Sequence, residues 1–207
     1  MDFFTNPNIL FYIVAYLVGS IPFGLILAKK FAGVDIQSSG SKSIGATNVL
    51  RVVKKTNPEL AKKLGIATVL LDAIKGIFII FIAYMANMSH ETLWAIALFS
   101  VLGHCYSAYL NFEGGKGVAT ALGVFLVLIP IPTIIGSIVW GFCAKVLKIS
   151  SLSSLLGLIT VVISAIFLNN GLEINSNAPM YIIAFIIIYK HIPNLVRLIK
   201  GEESKVV

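Results

Sequence analysis

The sequence predicts an all-α integral membrane protein with seven transmembrane helices, and three observations carry that reading. The 207 residues are 57% hydrophobic and 12% charged, whereas a soluble domain carries about 25% charged residues. The apolar residues gather into runs of about 20, the length that crosses a hydrocarbon core. The sixteen Lys and Arg residues stand in a few patches beside those runs. Residues 1–207 read as a single domain.

The first span is 9–28, long enough for a membrane helix and without the basic leader and small-residue cleavage site of a signal peptide. The second, 64–88, carries Asp72 and Lys75. The third is 92–110. The stretch 118–147 is too long for one upright helix, and Pro130 and Pro132 break its middle, so it reads as a tight hairpin of two short helices. Spans at 152–168 and 178–189 complete the seven. A five-span version, with 118–147 partly re-entrant and the last segments interfacial, is the alternative.

Charge sets the orientation. Every Lys and Arg except Lys75 falls in or near one set of loops, while the opposite loops, 86–91 and 169–179, have none. The positive-inside rule then gives N-out, C-in, with the polar patches on the cytoplasmic side. The same rule explains the net charge of +7 and removes any need for a nucleic-acid partner. Cys105 and Cys143 read as packed thiols, and the three histidines are too far apart in sequence to suggest a metal site.

Three basic patches also hold the densest Gly, Ser, Thr and Asn: 40–51, 111–120 and 190–201. In the first, small residues admit an anion to the backbone, hydroxyl and amide groups add donors, and Arg51 can grip two phosphate oxygens. Residues 45–51 open a short helix whose N-terminus favours an anion. The bland reading is a solvated loop. In the second, Gly114-Gly115-Lys116-Gly117 precedes an apolar helix. It is not a P-loop, but it offers free N–H groups, one point charge and a helix dipole. An interfacial turn is the bland reading. His104 suits a structural hydrogen bond or a substrate contact equally. The serines at 150–154 read as helix caps, with Ser151 able to face the site instead. His191 and Asn194 share a helical face. Asp72 and Lys75 read first as a buried ion pair, and second as a route for Lys75 to a phosphate.

In this order, Gly40-Ser41, Gly45-Ala46-Thr47-Asn48, Arg51, Asp72, Lys75-Gly76, Gly103-His104, Gly114-Gly115-Lys116-Gly117, Ser151 and His191, Asn194, Arg197, Gly201 resemble the bacterial acyl-phosphate:glycerol-3-phosphate acyltransferases. The resemblance implies transfer of an acyl group from acyl phosphate to the sn-1 hydroxyl of glycerol 3-phosphate, giving lysophosphatidate. It implies catalytic roles for Ser41, Arg51, Lys116, His191 and Asn194. It implies substrate binding by Gly40, Thr47, Asn48, His104, Gly114, Gly115, Gly117 and Ser151. No cofactor, metal or obligate protein partner is implied; the partners are the two substrates and membrane lipid. Members usually carry Asn at Ser43 and Pro at Ser107, and often Pro at Ile44 and Lys or Arg at Glu113. No His here is followed by Asp five residues on, which excludes the His-Asp dyad of acyl-CoA acyltransferases. An organophosphate transporter is the rival class, but the charges lie at one face and no repeat links the halves.

Overall fold

The computed structural model describes residues 6–168, 174 and 176–205. Its helices are α1 (Pro7–Ser20), α2 (Phe23–Ala32), α3 (Ala46–Val53), α4 (Pro58–Met85), α5 (His90–Cys105), α6 (Val118–Leu128), α7 (Pro130–Leu147), α8 (Ser150–Phe167), α9 (Ala178–Lys190) and α10 (Ile192–Ile199). The predicted loop at 169–179 falls largely outside the described residues.

The local sequence explains the helix starts. Asn6 and Asn57 accept from the backbone N–H groups of Asn8 and Leu60, both at 3.0 Å, and each precedes a proline in the first helical turn. Ser89 caps α5 in the same way. Pro130 opens α7, so the predicted break in 118–147 is real, but it yields an eleven-residue helix and an eighteen-residue one rather than two short ones. The serines at the start of α8 do not cap it; Ile149 stands at that position with no side-chain hydrogen bond.

The predicted first span is also divided. Pro22 lacks an N–H and separates α1 from α2. The break leaves the Ile21 carbonyl open to a side chain, and Lys75 Nζ donates to it at 2.9 Å.

Among the described residues, five helical stretches are long and apolar enough to cross a membrane: 7–32, α4, 90–110, α7 and α8. α9 and α10, bent by 50° at their junction, make a sixth when the pair is taken as one span. The eleven residues of α6 extend roughly 16 Å, about half of a hydrocarbon core. Hydrocarbon-facing stripes are plain on the helices. On α4, Ile66, Leu70, Ile74, Phe78, Phe81 and Met85 are exposed at helical spacing.

Inside, glycines let helix backbones meet. Gly19 lies against the Ser100 carbonyl, which joins α1 to α5, and Gly123 lies against Ala73, which joins α6 to α4. A main core of Ile79, Ile80, Trp94, Ile96, Phe125 and Ile183 fills the bundle. A smaller core of Leu25, Ile36, Val49, Val53 and Leu64 sits under α3 and the preceding loop. That second core fixes α3 over one end of the bundle, where the polar patches gather.

Candidate active site

A cavity of about 340 Å³ opens at that end of the bundle. Residues at the N-termini of four helices line it: Ala46 and Thr47 on α3, Val118 and Ala119 on α6, Ser150 and Ser151 on α8, and His191 and Asn194 at the start of α10. Each N-terminus carries roughly half a positive charge and unpaired N–H groups. Arg51 and Lys116 also line the cavity. Neither makes an ion pair with any of the described residues. Two cations without an ion pair, set among four helix N-termini, have the chemistry that suits an anion.

Burial pushes the Lys116 pKa down to about 8, and the charges of Arg197 and Arg51 add to the effect against an opposing pull from Glu203. The ammonium is therefore present below about pH 8 and lost above it. For the free protein, kcat/KM is expected to fall about tenfold per pH unit above that value. A pH profile of Lys116→Arg, whose side chain stays charged, should lack that limb.

The Gly-rich turn is held from behind. Gly115 N–H donates to the His104 carbonyl at 2.9 Å. A side chain at Gly115 would overlap the His104 ring, and one at Gly114 would overlap the His104 carbonyl. Gly117 has φ of +84° and begins α6. Gly114 and Gly115 thus brace the turn from behind the cavity lining. Gly117 and Lys116 line the cavity itself. Gly115→Ala is expected to lower thermal stability by an overpacking cost of about 1–3 kcal/mol and to displace Lys116. A melting curve with a parallel activity assay tests this.

His104 is itself braced. Its Nδ1 lies 3.0 Å from Lys75 Nζ, which also contacts Asp72 Oδ1 at 2.8 Å. The Nε2 edge of the ring faces Gly115. Asp72 and Lys75 form the predicted buried ion pair, and Lys75 does not line the cavity.

The first patch divides in a similar way. Ser41, Thr47 and Arg51 line the cavity, and Thr47 Oγ1 lies 2.9 Å from Ser150 Oγ. Asn48 is 1% exposed and its amide is already occupied. It donates to the carbonyls of Ile36, Ser39 and Ser43 and accepts from Ser41 N–H. Asn48 also lines the cavity, and its amide knits the loop that carries Ser41. Gly40, at φ +65°, packs on the Asn48 side chain and stays outside the cavity; it too is a turn residue.

At the third patch His191 is buried and donates from Nδ1 to the Ile187 carbonyl at 2.8 Å. The neutral ring then keeps a lone pair on Nε2. Ser151 and Asn194 lie beside it on the cavity wall.

The model of the glycerol-3-phosphate acyltransferase family matches residues 9–201. The chain belongs to that family. It is 74% identical over 207 residues to a glycerol-3-phosphate acyltransferase of Aliarcobacter butzleri, covering 100% of both chains. It is 58% identical to that of Sulfurimonas denitrificans, again with 100% of both covered. Its fold is similar to the crystal structure of PlsY, an integral membrane glycerol 3-phosphate acyltransferase, in the glycerol 3-phosphate form. The TM-score is 0.84 at 35% identity, covering 97% of this chain and 96% of that one. The lysophosphatidic acid form of the same enzyme gives a TM-score of 0.81 at 35% identity.

One residue at this acyltransferase-family site escapes sequence reasoning. Glu203 Oε1 accepts from Ser151 Oγ at 2.8 Å and from Asn194 Nδ2 at 2.7 Å, and Oε2 accepts from Arg197 Nε at 2.8 Å. Burial alone would raise its pKa, but the hydrogen bonds from Asn194, Ser151 and Arg197 outweigh it and hold the carboxyl below its ordinary value. Glu203 ties α8 to α10. The available signal was weak: Glu202 and Glu203 are the last acidic residues of a basic tail.

Proposed function

We propose that this chain transfers a fatty acyl group from acyl phosphate to the sn-1 hydroxyl of glycerol 3-phosphate, releasing phosphate and lysophosphatidate. The supporting observation is the pair of unpaired cations, Arg51 and Lys116, among four helix N-termini at the head of an apolar slot. Two phosphates and one acyl chain fit that division of chemistry. Lys116 with the α6 N-terminus holds one phosphate, and Arg51 with Ser41 and Thr47 holds the other.

With both phosphates held, the glycerol hydroxyl is placed about 3–3.5 Å from the acyl carbon. His191 Nε2 takes the hydroxyl proton as the oxygen attacks. The carbonyl–phosphate bond then breaks and phosphate leaves as an already stabilised anion. Charge stabilisation at fixed groups accounts for most of the acceleration. No cofactor, metal or protein partner enters these steps.

The seven-pass reading counts α6 as a short pass, places the N-terminus outside and turns the site to the cytoplasm of an inner membrane. The one-sided basic residues support it. Glycerol 3-phosphate then arrives from the cytoplasm and the acyl donor from the bilayer.

The test is acyl transfer by purified, detergent-solubilised protein in EDTA. Labelled glycerol 3-phosphate is supplied with palmitoyl phosphate or with palmitoyl-CoA. Lysophosphatidate from acyl phosphate alone is the expected result. Activity lost in EDTA and restored by one metal would contradict the metal-free mechanism. No product from either donor, in folded protein, would sink the enzyme and call for an uptake assay in liposomes.

A further inference from the structure

We propose that the lower part of the cavity is a length gauge for the donor's acyl chain, floored by Phe125, Thr133 and Val161 and entered beside Trp140 and Gly141. The proposal rests on the acyl-transfer reading above. Its elements come from three helices. Leu122 and Phe125 line the slot from α6, Thr133, Gly136, Ser137 and Trp140 from α7, and Leu158 and Val161 from α8.

The walls are apolar even where the residues are not. Thr133 Oγ1 donates to the Ile129 carbonyl and Ser137 Oγ to the Thr133 carbonyl, both at 2.7 Å. Each hydroxyl is bound one turn back along its own helix. Neither has a hydrogen to offer a ligand in the slot, which suits hydrocarbon.

The floor is closed. Phe125 and Thr133 are 2% and 1% exposed, and the Phe125 ring packs at a tilt against Trp94 in the main core, with ring centroids 6.1 Å apart. The entrance is open. Trp140 is 43% exposed, and a side chain built at Gly141 would meet nothing within 4 Å. Farther in, Gly136 lies against Val161 and the Gly157 carbonyl, so α7 and α8 form a continuous back wall.

The depth follows from helix geometry. From Ser151, beside the anion groups, to Val161 is ten residues of α8, roughly 15 Å. Half of a hydrocarbon core is also about 15 Å. The slot is therefore as deep as one leaflet, and the chain it fits is of the length found in the surrounding membrane.

The experiment measures kcat/KM for straight-chain acyl phosphates from octanoyl to eicosanoyl. For the parent protein, kcat/KM is expected to rise up to about fourfold per added methylene while the slot fills. It should then fall once the chain meets the floor. Val161→Phe raises the floor and should move the optimum to shorter donors, with the ratio of long- to short-chain kcat/KM falling at least about tenfold. Phe125→Leu lowers the floor and should move it to longer ones. A folding defect would lower all lengths together and cannot move the optimum in opposite directions. Gly141→Phe, placed where no neighbour stands, should raise the KM of every long donor. Unchanged length profiles in active Val161→Phe and Phe125→Leu proteins would overturn the gauge. Were palmitoyl-CoA the working donor, the reaction assigned above would fail, and the same profiles taken with acyl-CoA chains would still decide the gauge.

Discussion

Lys116→Ala is expected to lower kcat/KM by about 10²–10³ while leaving the fold intact or slightly more stable. The loss follows from removing a preorganised charge at a phosphate. The stability follows from the lowered pKa of the same group. A cation that burial has pushed down to about 8 is disfavoured in the folded protein until an anion arrives. Alanine removes that burden. Activity and melting temperature should thus move apart, which loss of folding does not produce. Arg51 supplies the companion test. Its guanidinium matches two phosphate oxygens in one plane, so Arg51→Lys should lose nearly as much as Arg51→Ala despite keeping the charge. Full turnover in both Lys116→Ala and Arg51→Ala would sink the two-phosphate site.

The second large effect is expected at His191. Its Nδ1 is fixed to the Ile187 carbonyl, so the ring presents Nε2 in one orientation. Loss of a positioned general base costs about 10²–10⁴ in rate. His191→Ala should therefore reduce kcat over that range with little change in either KM. A kcat within tenfold of the parent would instead assign the proton transfer to a substrate phosphate. Single-turnover measurements with a saturating donor separate these outcomes.

Much of this was legible in the order of residues. The apolar spans, the proline break at Pro130 and the Asp72–Lys75 pair follow from hydropathy, backbone chemistry and the cost of lone charge in hydrocarbon. So does the gathering of Arg51, Lys116 and Ser151 at one end. What stayed hidden was direction. Asn48 and Gly115 carry the right groups for a phosphate, yet their hydrogen bonds run backward into the scaffold, to the Ile36 and His104 carbonyls among others. Spacing along a chain does not reveal which way an amide points. Glu203 stayed hidden for a related reason. Its partners, Ser151 and Asn194, lie 52 and 9 residues away, and no periodicity connects them. The break at Pro22 was missed because an apolar run continues across it, and hydropathy is blind to a missing N–H.

The unequal arms of the α6–α7 hairpin have a further consequence. From their shared turn, α6 has eleven residues and α7 eighteen, a difference of seven, or roughly 10 Å along the bundle axis. In the proposed seven-pass arrangement the Gly-rich turn that carries Lys116 therefore opens a step below the end of α7. For the proposed acyl transfer, that step lets a donor in the leaflet reach the ammonium without lifting its tail toward water. Glycerol 3-phosphate has to make the descent instead, into a medium where each contact between opposite charges is stronger than at the surface. The lipid is left where it lives, and the water-soluble partner is drawn down to meet it.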